Sequence, residues 1–332
     1  MDPVTHTLTG LAMSRAGLKR VAPYATPVLL LAAVAPDLDL LAAPFGSLAY
    51  LHWHRHLTHT FAAAPVLAIL PVLAVGLLAR KRFDWKRAYL LSLAAVVLHV
   101  LMDWLTPYGT RFLLPFSAKW YRLDTVALAD AWILAVLLVA ALAPALSRLV
   151  SSEMGTRAST GRGWAIFALC FLALFSFGRW VLHERALAVL DARLYGGSAP
   201  SRVAAIPGPF NPFRWTGIVE TPEFYSRHNV NLLDEFNPAE GQILYKPEPS
   251  PLEAAAAQAA RRTEAFRVFL DFSAFPYWRF SAAERPADAI RVEVMDLRFG
   301  PPGRPQFVAS AIVDSGGRVL ESDFSFQPPL RR

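Results

Sequence analysis

One cysteine, Cys170, lies inside an apolar run, which excludes an internal disulfide and any zinc cluster built on several thiolates. A metal in this chain must be held by His, Asp and Glu. Charge is also scarce: 18% of the 332 residues are Asp, Glu, Lys or Arg, against about 25% in an ordinary soluble domain. Apolar residues fill the deficit at 54%, which argues against a soluble enzyme of this length and for a membrane protein. No internal repeat is evident. The opening Met1-Asp2-Pro3 has an acid where a secretory signal needs a positive region, and no small-residue cleavage site follows, so the N-terminal segment is expected to stay attached.

What is present divides unevenly. Nearly all the excess hydrophobicity falls before about residue 185, while many of the 26 prolines fall after it. A bilayer core of about 30 Å needs roughly 20 apolar helical residues, and five runs qualify, at about 24–44, 60–80, 88–106, 125–147 and 164–183. Residues 4–18 form a sixth, short run. Trp85, Trp104, Trp120, Tyr121, Trp164 and Trp180 fall near run ends, where interfacial aromatics belong. The expected fold is an all-α polytopic membrane helical bundle of five to six transmembrane helices over 1–184, followed by a small, mostly β, water-facing C-terminal domain over 185–332. In that domain, segments 215–220, 290–295 and 307–313 read as strands, 314–318 as a hairpin turn and 252–269 as one helix.

The net charge of +7 would suggest nucleic acid in a soluble chain. Here much of it sits in short loops and reads as topology, with no nucleic-acid partner. Arg80, Lys81, Arg82, Lys86 and Arg87 crowd one connection, and Arg148, Arg157 and Arg162 another. Both are expected in the cytoplasm. The 45–59 and 107–124 loops and the C-terminal domain then lie on the periplasmic, outer side of a bacterial inner membrane. The first short helix is the uncertain crossing in that scheme.

Ionisable residues inside a membrane domain are costly, about 2.5–3.5 kcal/mol for a central Asp, and so point to function. They come in four groups: Asp2 with His6; Pro36-Asp37-Leu38-Asp39; His52, His54, His56 and His59 within eight residues; and His99 with Asp103 at i,i+4. Each has a plainer reading as well. Asp2 suits a helix N-cap, His6 an interfacial histidine, the histidine run a wetted linker, and His99 with Asp103 an interhelical hydrogen bond. Asp37 and Asp39 are about 200° apart on an α-helix, so both face one interior only if Pro36 loosens the turn. In the expected topology all four groups occupy the same end. Imidazole and carboxylate are ligands of zinc and other first-row divalent ions. Their number suits one or two ions, zinc or manganese first, and such sites support hydrolysis by activating water.

The ordered set of Asp2-Pro3-Val4-Thr5-His6-Thr7, Pro36-Asp37-Leu38-Asp39, His54-Arg55-His56-Leu57-Thr58-His59 and His99 with Asp103 resembles the YdjM-like, LexA-regulated, inner-membrane predicted metal-dependent hydrolases. The resemblance covers roughly the first 180 residues. It implies that His6, Asp37, Asp39, His54, His59, His99 and Asp103 occupy the metal-site positions. His54 and His59 do not share a helical face, so the implied set requires a loop or broken helix there. A looser likeness is to the all-helical zinc phospholipase C group, whose sites also use a His-x-x-x-Asp pair, and it points to phosphoesters.

The expected function is therefore an integral membrane, divalent-metal-dependent hydrolase of a phosphoester or lipid-linked substrate at the outer face. Its partners are membrane lipid and that small-molecule or lipid-linked substrate. Arg55, His56 and Thr58 are the candidates for substrate orientation or proton transfer. The alternative is a non-enzymatic metal-binding transporter or scaffold, whose ligands would continue toward the cytoplasmic half. They thin out there instead.

Overall fold

The computed structural model describes residues 1–80, 82–154, 161–286 and 288–326. Lys81 and Arg157, used above for orientation, lie outside the described residues. The N-terminal half is helical: α1 (Pro3–Ala16), α2 (Ala25–Ala32), α3 (Ser47–Trp53), α4 (Ala64–Leu67), α5 (Ile69–Leu78), α6 (Trp85–Trp104), α7 (Ala131–Met154) and α8 (Arg162–Asp191).

Asp2 starts α1 as its N-cap, accepting from the Thr5 backbone N–H at 2.9 Å, with Pro3 in the first helical position. The helix has 14 residues, about 21 Å at 1.5 Å per residue. Too short to span alone, it packs inside the bundle against α2, α7 and α8. Gly10 permits the close approach to α2, because a Cβ there would stand 2.8 Å from both Ala33 Cβ and the Leu29 carbonyl oxygen.

Three helices are long and apolar enough to cross a bilayer: α6, the Ala131–Leu149 part of α7, and α8. Two bent pairs raise the number to five if each is one span: Ala25–Ala32 with Pro36–Phe45 at 49°, and Ser47–His59 with Ala64–Leu78 at 88°. The expectation of five to six becomes three to five. Pro36 accounts for the first bend, since it has no N–H to continue the α2 ladder and the chain goes on as a 3-10 helix over Pro36–Phe45.

The bundle has two chemically distinct ends. At one, Arg15 donates to the Ala141 carbonyl at 2.6 Å, Arg162 to Ala16 at 2.9 Å and Arg87 to Val21 at 3.3 Å. At the other lie the first turn of α1 and the last turn of α6.

The C-terminal domain contains two four-stranded antiparallel meanders. The first is β1 (Arg202–Pro207), β2 (Arg214–Glu220), β3 (Phe224–Asn231) and β4 (Gln242–Tyr245). The end of α8 packs Ala186 and Leu190 against Trp215 and Val230 of this sheet. The second follows α9 (Pro251–Arg261) and α10 (Glu264–Phe272): β5 (Pro276–Ala282), β6 (Ile290–Asp296), β7 (Val308–Val313) and β8 (Val319–Ser325). Its core joins Phe266 and Phe269 of α10 to Val292, Val294 and Ala309, and also takes in Leu51 of α3 and Tyr108. Arg298 ties the domain to the helices, donating to the Pro107 carbonyl at 2.6 Å.

Strands form where they were expected, as β2, β6 and β7, and the Asp314 to Arg318 turn closes with a 3.0 Å backbone bond. The single helix expected over 252–269 is two. Thr263 breaks it by donating to the Ala260 carbonyl at 2.7 Å and accepting from the Phe266 N–H, which makes it the N-cap of α10.

Candidate metal centre

Residues from all four ionisable groups converge at the end of the bundle opposite Arg15, Arg87 and Arg162. His99 and Asp103 project from one face of α6, 1% and 0% exposed. His99 Nδ1 is 2.7 Å from the Ala33 carbonyl oxygen. That oxygen is available because Pro36 has no N–H and the Asp37 N–H goes to Val34. A carbonyl only accepts, so Nδ1 carries the proton and Nε2 presents a lone pair.

A 3-10 helix turns about 120° per residue, which sets Asp37 and Asp39 about 240° apart. Both are nevertheless buried, because they face different partners. Asp37 Oδ1 stands 3.8 Å from His59 Nε2 and 3.5 Å from His99 Nε2. Asp39 meets His54 Nδ1 at 3.0 Å, His59 Nδ1 at 3.1 Å, the Arg55 backbone N–H at 2.8 Å and the Thr58 hydroxyl at 3.0 Å.

Those contacts depend on a break in the histidine segment. After α3 ends at Trp53, His54 is extended and Arg55 takes left-handed φ of 59°, before a 3-10 turn over Leu57–His59. That is the broken helix which bringing His54 and His59 together requires. His59 Nδ1 is 3.0 Å from the Thr58 hydroxyl oxygen, whose own proton goes to Asp39, so Nδ1 donates and His59 Nε2 also presents a lone pair.

His59 Nε2 and His99 Nε2 then face each other at 3.2 Å. Asp103 Oδ2 lies 3.1 and 3.3 Å from them and, like Asp37 Oδ2, has no hydrogen-bond partner. Asp37, His59, His99 and Asp103 each offer a donor atom within 4.8 Å of the others. A single proton can join only two of these atoms, whereas one divalent ion meets all four. Donors on a tetrahedral zinc, at about 2.0–2.1 Å from the ion, are about 3.3 Å apart, close to the spacings here. The two carboxylates would balance the ion's charge.

Around this group lie the other expected residues. His6 stacks on His99 with ring centroids 3.6 Å apart and reaches Asp103 Oδ1 at 3.1 Å. Arg55 Nη2 is 3.0 Å from the same oxygen, which the Met1 amine also contacts, while Arg55 Nη1 donates to Thr106 Oγ1 at 2.8 Å. Asp39, His54 and Thr58 form a layer behind His59, of the kind that fixes a ligand's tautomer and ring orientation. His56 is not brought there. It lines a separate cavity of about 260 Å³ with His52, Arg111 and Asp271, because the turn at Arg55 sends successive histidines to different sides.

A larger cavity, about 580 Å³, opens beside Asp37, His54 and Arg55. Its lining includes Tyr50, Tyr108, Phe307 and Phe326, none singled out from sequence. They are dispersed along the chain and belong to no motif, so only the docking of the C-terminal domain assembles them.

The profile of a family described as YdjM inner membrane protein matches residues 1–186, and that of the YfhP C-terminal alpha/beta plait domain matches residues 255–327. The uncharacterized protein YfhP of Bacillus subtilis (strain 168) is 26% identical over 327 residues, which cover 93% of this chain and 90% of that protein. No solved structure matches the chain.

Proposed function

This chain belongs to the YdjM inner membrane protein family, and we propose that it is a divalent-metal-dependent hydrolase of a phosphoester or lipid-linked substrate. The observation that carries this reading is the facing pair of imidazole lone pairs at His59 and His99, closed by Asp37 and Asp103 beside a cavity. One zinc or manganese ion is the occupant these four donors suit. An ion held by these four donors that expanded beyond four-coordination toward the cavity would have a position free to polarise a phosphoryl or acyl oxygen and to ease the loss of a proton from the attacking water.

The chain's own residues supply the rest. Asp39 holds His59 in the tautomer that leaves Nε2 free. Arg55 offsets the charge of Asp103 and borders the cavity. His54 also borders the cavity, with Nδ1 on Asp39 at 3.0 Å, the arrangement of an imidazole base oriented by a carboxylate. In the proposed orientation the basic end faces the cytoplasm, and the metal centre and C-terminal domain face the periplasm.

The test uses the purified full chain against phosphomonoester, phosphodiester and carboxylic ester substrates. Turnover of one class is expected to stop with a chelator, return with added metal and be lost in Asp37→Asn. Bound metal without turnover of any class would favour the transporter or scaffold alternative.

A further inference from the structure

We propose that the C-terminal domain forms a wall of the substrate cavity, and that this cavity takes the alkyl chain of an amphipathic phosphoester whose head lies at the metal centre. The head's placement rests on the metal-hydrolase reading; the tail's rests on the cavity.

At about 580 Å³ the space is within the range of roughly 300–1,000 Å³ typical of small-molecule sites. Its charged and imidazole groups include Asp37, His54 and Arg55 beside the metal cluster, and Ser47, Tyr50 and Tyr108 add hydroxyls, while Leu40 and Ala43 on one side and Phe307 and Phe326 on another are apolar. The aromatic side is a packed surface: Phe326 meets Phe307 at 4.9 Å and Tyr50 at 5.3 Å, and Phe307 meets Tyr108 at 6.1 Å, all between ring centroids. A polar substrate filling this volume would lose water and gain no partners along the Leu40, Ala43, Phe307 and Phe326 faces. An alkyl chain loses nothing there.

Backbone conformation adds an independent indication. Among the described residues four non-glycines have left-handed φ, and two of them, Arg55 at 59° and Phe307 at 58°, line this cavity. A bulky residue held in that region is unfavourable and persists where a site needs the side chain aimed. The 3-10 segment that contributes Leu40 and Ala43 also exposes Leu41 and Phe45, 70% and 83% accessible. The cavity thus lies beside an apolar outer surface from which a lipid-derived chain can enter.

The test is equilibrium binding of ethyl, butyl and hexyl phosphate to the manganese-loaded full chain in nanodiscs. Inorganic phosphate serves as the head-only control, and empty nanodiscs are subtracted. Affinity is expected to rise with chain length, by up to about 4-fold per methylene, the equivalent of about 0.8 kcal/mol. Ala43→Phe, at an exposed position on the rim, is expected to flatten the series without changing manganese or phosphate binding. Phe326→Ser is expected to weaken hexyl phosphate alone. A flat wild-type series with manganese and phosphate bound would overturn the proposal, and so would a rising series that both variants leave intact. Loss of manganese binding with the length dependence preserved would overturn the metal reading and support the tail cavity.

Discussion

Asp296 in the C-terminal domain and Asp103 in the helical domain are both buried carboxylates, 1% and 0% exposed, with opposite surroundings. Both oxygens of Asp296 are taken: Arg298 donates from its backbone N–H at 3.0 Å, from Nη2 at 2.7 Å and from Nε at 3.0 and 3.1 Å, and the Ala274 N–H donates at 3.0 Å. Arg298 is satisfied in turn by the carbonyls of Pro107 and Phe272. At Asp103 only Oδ1 has cationic and hydrogen-bonding partners, while Oδ2 faces two imidazole nitrogens whose protons are elsewhere. A closed set of bonds holds two domains together. An open set of the same residue types, equally buried, is unstable unless something positive completes it.

The largest expected effect breaks the closed set. Asp296→Ala leaves Arg298 buried without its counter-charge and should destabilise the C-terminal domain by about 3–5 kcal/mol, measured by thermal unfolding of the full chain. Burial alone would push the Asp296 carboxyl up, but the Arg298 charge and its hydrogen bonds outweigh that and hold it below the ordinary carboxylate range. The contribution of the pair is therefore full above the ordinary value, about 3.9, and is lost as pH falls through the depressed folded one. Thermal unfolding near neutral pH should not report its titration, and unfolding in acid should.

A smaller effect sharpens the open set. Asp39→Asn keeps the shape behind His54 and His59 but weakens the hold on both Nδ1 atoms, and should reduce metal affinity by about 10–100-fold without altering thermal stability of the metal-free chain. Equilibrium metal titration against a competing chelator measures it; unchanged affinity would remove Asp39 from any role in setting the His59 tautomer. The smallest effect concerns neither set. Thr263→Ala removes the cap that separates α9 from α10 and should cost about 1 kcal/mol, again by thermal unfolding, with metal binding unaffected.

Much of this contrast is readable in the chain because the open set lies in apolar surroundings. His6, Asp37, His59, His99 and Asp103 stand out because each lies within or at the end of one of the apolar runs. Pro36 signals a departure from the α-helix, which proves to be a tighter 3-10 turn that sends Asp37 and Asp39 to different partners, and the spacing of His54 and His59 demands a break in the helix. Asp296 and Arg298 are no less buried and also sit between apolar neighbours, Met295, Leu297 and Phe299, but an Asp and an Arg two residues apart in a segment of ordinary soluble composition carry no such signal. The division of labour between Asp37 and Asp39 is also illegible: Pro36 marks a break in the α-helix, but no residue type announces that a 3-10 turn follows or which partners each carboxylate meets. His56 sits between two site residues and faces away, because one left-handed φ at Arg55 decides which side each neighbour takes. The split at Thr263 is hidden by an alanine-rich stretch, Ala254–Ala260 with one Gln, that reads as one continuous helix. Phe307 and Phe326 could not be assigned to the site, because their place depends on how two domains dock.

The most direct test of the open set is the metal content of the purified full chain, compared with His59→Ala and His99→Ala. About one divalent ion per chain is expected for the wild type, with a large loss in both variants and unchanged membrane insertion. A metal-free wild type that does not take up zinc or manganese, or variants that keep the full content, would contradict the account.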